Sequence, residues 1–146
     1  MRRIIATSVV ALLIVGCSQE APLENLADGN CNGAVVGLVN EHISGQIDAL
    51  AMKDWELALS FASNDFQANV SIDDFIFVIK AQYPMLINNK GYEFNKCTVT
   101  GGKIQQEVKV LSDEQEFSLA YILTVTDSTL GVESAVVSSV DPKVSA

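Results

Sequence analysis

Few residues in this 146-residue chain could do chemistry: one histidine, three tyrosines, three cysteines and scattered carboxylates. His42 and Gln46 stand one helical turn apart and could enter a pocket together as hydrogen-bonding groups. His42 also fits a half-buried position at a helix edge. Tyr83 and Tyr121 with Asp48 or Asp54 would make an acid-plus-phenol site if the carboxylate stood in an apolar cavity. The pattern opposes this, because Asp48 falls on the polar face of its helix and Asp54 precedes the next one as a cap. No Ser-His-Asp order can be assembled, so no catalytic residue is assigned. A single His and no close Cys pair give no zinc-ligand spacing. Asp73-Asp74 and Asp113-Glu114-Glu116 read as a helix start and a solvated turn, not as a calcium loop. Neither metal nor cofactor is expected.

Met1-Arg2-Arg3 is a positive start, followed by a 12-residue apolar run from Ile4 to Val15. Twelve residues fall short of the roughly 20 needed to span a bilayer, but fit the core of a secretory signal peptide. The run ends in Ile14-Val15-Gly16-Cys17, which resembles the lipobox of bacterial lipoproteins, with Ile14 where that family usually has Leu. The resemblance implies cleavage after Gly16 and lipidation of the Cys17 thiol. Ser18 follows, where Asp would resemble an inner-membrane retention signal. The expected address is therefore the cell envelope, lipid-anchored in the outer membrane and facing the periplasm. Residues 17–33, with Pro22, Asn25, Asp28, Gly29, Asn30 and Asn32, carry turn chemistry and read as a lipidated tether. Residues 34–146 read as one α+β domain.

Setting Cys17 aside leaves Cys31 and Cys97. In an oxidising compartment such a pair is a disulfide candidate, against the alternative of two separate thiols. Loss of Arg2 and Arg3 with the leader leaves 7 basic against 18 acidic groups, a net charge of −11. That balance argues against nucleic acid, which needs clustered Lys and Arg, and against electrostatic docking on anionic lipid. The membrane is expected as a partner through the lipid anchor alone.

These groups must be positioned by two kinds of element. Val36, Val39, Ile43, Ile47 and Leu50 recur at helical spacing, which predicts a helix from Ala34 to about Lys53 with Gly37 and Gly45 toward its polar side. Asp54 caps a second helix, Trp55 to Ala62, and Ser71 a third, Ile72 to Tyr83, which Pro84 stops. Phe77 lies off the third helix's apolar stripe, so that helix is buried on two sides or presents a contact surface. The period then changes to two. Tyr92 to Thr100 forms a strand with a bulge near Asn95, and Gly101-Gly102 a hairpin turn. Strands around Ile104 to Val110, Phe117 to Val125 and Val132 to Val140 complete a four-stranded antiparallel sheet with the helices on one face.

Gln46-Ile47-Asp48-Ala49-Leu50, Asp54, Ala58-Leu59-Ser60-Phe61-Ala62-Ser63 and Phe66-Gln67 resemble the signature of a family of unknown function found in bacterial and plant proteins. Phe75 to Tyr83-Pro84, Tyr92-Glu93-Phe94, Gln106-Glu107-Val108 and Tyr121 continue the resemblance, which covers roughly residues 43 to 137. It implies a nuclear-transport-factor-2-like, or cystatin-like, fold, in which a curved, cone-shaped sheet cradles the helices. Gly131-Val132-Glu133-Ser134 departs from that family, lacking its Trp and second Gly. If the cone is hollow, His42, Gln46, Tyr83 and Tyr121 are the polar groups that would orient a ligand. The expected function is a non-catalytic module that binds a small apolar ligand or an envelope protein. The alternative is a small-molecule enzyme on the same scaffold.

Overall fold

The structure, a computed structural model, describes residues 21–142. The expected signal peptide 1–16 and lipidated Cys17 lie outside the described residues. The elements run β1 (Gly29–Asn30), α1 (Gly33–Ala51), α2 (Trp55–Ser60), α3 (Asn64–Asn69), α4 (Ile72–Gln82) and α5 (Pro84–Ile87). Four long strands follow: β2 (Asn89–Thr100), β3 (Lys103–Ser112), β4 (Gln115–Thr126) and β5 (Thr129–Pro142). Helices followed by hairpin-linked strands give the expected α+β class.

Short polar side chains start the helices by satisfying backbone N–H groups that have no intrahelical acceptor. Asn32 accepts from Val35 N at 2.9 Å, Asp54 from Leu57 N at 3.3 Å, Ser63 from Phe66 N at 3.2 Å and Ser71 from Asp74 N at 3.1 Å. The caps at Asp54 and Ser71 are the predicted ones. The helix at Asn64–Asn69 is additional, and Pro84 opens a further short helix in place of ending helical structure. Pro at the first helical position loses no hydrogen bond, which is why it serves as a start.

The sheet is antiparallel, in the order β1-β2-β3-β4-β5. The sequence reading has four strands in a curved sheet; the structure has five in an uncurled one. The extra strand is two residues of turn-forming type, too short to show a period of two. Bulges bend a sheet only where they lie: the register shifts fall in the β2–β3 and β4–β5 pairings, while β3 and β4 at the centre pair without one from Ile104↔Leu123 to Ser112↔Gln115. The predicted bulge in β2 is present between Phe94 and Cys97, and the β2–β3 turn passes through Gly101 and Gly102, both at positive φ.

β1 belongs to the stretch read as tether, and this stretch lies against the domain from Leu23 onward. Leu23 is buried in the core, Gly29 and Asn30 pair with Val99 and Thr98, and Cys31 is disulfide-bonded to Cys97. The bond closes a separation of 66 residues. In the chain-entropy picture it stabilises the fold by about 4 kcal/mol.

The core lies between the helices and one sheet face. Ile43, Ile47, Phe75 and Ile79 are buried there with Leu119, Tyr121 and Leu123, as the helical stripes predict. α1 is turned slightly from its expected setting: Val35, not Val36, is fully buried, and Val36 is half-exposed. Gly45, expected toward the polar side, lies beneath the Phe61 ring, where an added Cβ would meet Phe61 Cζ at 2.5 Å. Phe77 is 73% exposed, so α4 presents it to solvent and is buried on one side only.

Candidate functional site

The site is a partly open cavity of about 170 Å³ between the helices and strands β4 and β5. Its wall is mainly apolar: Leu50 from α1, Phe66 from α3, Phe75 and Ile79 from α4, Leu86 from α5 and Val132 from β5. Three of the four residues expected to orient a ligand also line it, namely Gln46, Tyr83 and Tyr121. They come from α1, the end of α4 and the middle of β4, so packing of helices on the sheet brings them together.

His42 is not among the lining residues. Its Nε2 lies 2.7 Å from the Phe61 carbonyl, which can only accept, so Nε2 carries the proton. Its ring meets the Phe61 ring edge-on at 5.1 Å. His42 thereby fastens the loop after α2 to α1, the role of the half-buried edge residue. The neighbouring turn does similar work: Gln46 Nε2 donates to Ala58 O at 3.1 Å.

The phenols differ in their bonding. Tyr83 donates its hydroxyl proton to the Ala135 carbonyl, and its pKa is raised by burial. Tyr121 is 1% exposed, and no protein group among the described residues partners its hydroxyl. Burial first, and then the nearby phenols Tyr83 and Tyr92, push its pKa well up, so Tyr121 stays a neutral O–H donor at any physiological pH. A buried hydroxyl without a partner costs about 1–3 kcal/mol.

Neither carboxylate of the possible acid-plus-phenol pair reaches the cavity. Asp48 is exposed and accepts from Tyr92 Oη at 2.8 Å, and Asp54 caps α2. The acidic residue at the wall is Glu133, whose carboxylate holds Lys103 Nζ at 2.8 Å.

The far wall depends on features of β5 that have no period-two signature. One extra residue, Glu133, stands opposite the Ile122–Leu123 step, so the strand changes phase after the buried Val132. Ala135 and Val137 then turn toward the core, while Val136 is 57% exposed. Beside it, the chain after α2 crosses β5 in direct contact. Val132 N donates to Phe61 O at 2.9 Å, and Ser63 N to Val132 O at 2.8 Å. The crossing needs a glycine, since a Cβ on Gly131 would sit 2.5 Å from Ser63 Cα. An isolated Gly within a strand pattern signals such an approach or a bulge, and Gly131 was the available clue.

A family model matches residues 38–140, from within α1 to within β5; its description is a domain of unknown function, DUF4864. The chain belongs to the DUF4864 family. The match contains every residue named at the cavity. It includes Cys97 but begins after Cys31, so one half of the disulfide lies outside the DUF4864 segment. No curated protein and no solved structure matches the chain.

Proposed function

We propose that this DUF4864 protein is a lipid-anchored envelope protein whose domain is a non-catalytic binding module for a small apolar ligand. The cavity carries the reading: a mainly apolar space of about 170 Å³ lined by a tyrosine, Tyr121, whose buried hydroxyl has no protein partner among the described residues. Ligand sites typically combine an apolar lining with a few placed polar groups. The kinship with nuclear-transport-factor-2-like proteins belongs to the same reading, since helices on one face of an antiparallel sheet leave an interior pocket where the two layers part.

The anchoring half rests on the apolar run and Gly16-Cys17. With Cys17 lipidated, residues 18–22 would join the anchor to Leu23, which is buried in the domain, holding the domain close to the membrane surface. Cys17→Ala should leave the precursor uncleaved and unlabelled by radioactive palmitate; equal labelling of the variant would remove the anchor from this proposal. For the binding half, protein purified from its native host should release a small apolar compound into organic solvent at near one per chain. If nothing is released and no apolar probe binds, the cavity is only a packing defect. Turnover of a small molecule, abolished by changing Asp48 or Asp54, would replace binding with the enzyme reading. A protein partner is the second reading, favoured by the exposed Phe77 on α4.

A further inference from the structure

We propose that the cavity takes a neutral, single-ring-sized ligand carrying one hydrogen-bond acceptor, such as a ketone oxygen, and that the Tyr121 hydroxyl donates to it. The inference deepens the binding reading above and rests on it.

Size comes from the volume. A cavity of about 150 Å³ lined by Leu, Ile and Phe accommodates benzene. The present one, at about 170 Å³, has room for a ring with a small substituent.

Polarity comes from the buried side-chain donors at the wall, Ser134 being exposed to solvent. The Tyr83 proton is committed to Ala135 O, and the Gln46 amide nitrogen is held by Ala58 O. Tyr121 is the buried hydroxyl left without a partner. A ligand offering only a donor would leave that O–H still unmatched, whereas an acceptor satisfies it.

Neutrality comes from the charges. Among the described residues neither Lys nor Arg lines the cavity, and the carboxylate at its wall, Glu133, is already paired with Lys103. An anionic ligand would lose its hydration with no cation to replace it and would sit near a carboxylate. A cationic ligand would compete with Lys103 for Glu133.

The test uses the full chain in lipid nanodiscs with methyl labels on Ile and Val, so that binding is read at Ile79 and Val132 whatever partitions into the lipid. Three probes are titrated: acetophenone; cumene, which has the same outline without an acceptor; and benzoate. Acetophenone should move both methyl signals and bind about tenfold more tightly than cumene, the size of one neutral buried hydrogen bond. In Tyr121→Phe that preference should vanish, with cumene binding unchanged. Equal binding of acetophenone and cumene to the wild type overturns the acceptor assignment while leaving a binding cavity, and needs no variant to show it. Benzoate binding more tightly than acetophenone overturns neutrality. If no probe moves either signal, the binding reading itself falls, and this inference with it.

Discussion

Gln106 and Tyr121 face each other across β3 and β4, both wholly inside the protein, yet they serve regions of different kind. Gln106 lies at the β2 bulge. Its amide nitrogen reaches the carbonyls of Asn95 and Lys96 at 3.3 Å each and of Glu107 at 2.9 Å. On its other side it pairs with Cys97, which carries the disulfide to Cys31. The extra residues of the bulge leave carbonyls that the ladder cannot use, and Gln106 collects them; only its Oε1 lacks a partner. Tyr121 has no such work: it lines the cavity, and its buried hydroxyl has no protein partner among the described residues. A buried polar residue is therefore not in itself a sign of a site. What separates the two is whether the backbone consumes the polar group.

Substitutions can break this contrast, and the largest effect should come from a charge that neither region can receive. Ile47 is fully buried on α1. Ile47→Asp should unfold the domain, because an ionised carboxylate there has no compensating partner and costs several kcal/mol. Far-UV circular dichroism and a urea titration would show it. A folded variant of near-normal stability would mean that α1 does not pack through this residue.

The next largest effect belongs to the bulge region. Cys31→Ser with Cys97→Ser should lower stability by about 4 kcal/mol, given the 66-residue separation. Urea midpoints of the oxidised wild type and the double variant measure it. A loss below about 1 kcal/mol would mean that β1 stays on β2 in the unfolded ensemble without the bond.

Gln106→Met, which keeps the side-chain volume, should cost about 1 kcal/mol. The carbonyls of Asn95 and Lys96 lose their donor but belong to exposed residues and can turn to water, so the low end of the range applies. Amide exchange at residues 94–97 should rise more than elsewhere. Unchanged stability and exchange would show that the bulge holds without Gln106.

The two regions also differ in how far the sequence reveals them. Elements with a strong period were legible: the stripe Ile43, Ile47, Leu50 of α1, the alternation from Phe117 to Val125, the caps Asp54 and Ser71, the Gly101-Gly102 turn and the bulge near Asn95. Gln46, Tyr83 and Tyr121 could be set together because aromatic and amide groups on predicted inner faces must meet somewhere. What was hidden depends on main-chain contacts between distant segments. β1 is two residues joined to β2 by backbone pairing and a disulfide. The crossing of residues 61–63 over β5 shows only as a Gly at 131. The slip at Glu133 changes which β5 side chains face inward without altering composition. His42 takes the helix-edge role, one of its two readings, and not the pocket one, and its partner is a backbone carbonyl that no side-chain pattern foretells.

The one substitution expected to stabilise is also the sharpest test of the contrast. Tyr121→Phe removes a buried hydroxyl that has no protein partner and keeps the ring, so at pH 7 the variant should be more stable than the wild type by about 1 kcal/mol, where Gln106→Met loses about 1. The gain should grow at high pH. In the folded protein burial holds the Tyr121 pKa above its unfolded value of 10.0, so above pH 10 the folded state keeps a proton that the unfolded state releases. Stability of the wild type must then fall with rising pH, by up to about 1.4 kcal/mol per unit for this one group. Below pH 10 both states are protonated and the group contributes no slope. Tyr83 and Tyr92, also raised, add the same sign of slope to both proteins and cancel in the comparison. Urea unfolding at pH 9 and pH 11 should therefore find Tyr121→Phe more stable than the wild type by about 1 kcal/mol at the lower value and by about 2 kcal/mol at the higher. Parallel pH profiles would mean that the Tyr121 hydroxyl ionises as freely folded as unfolded, which a buried donor at an apolar wall cannot do.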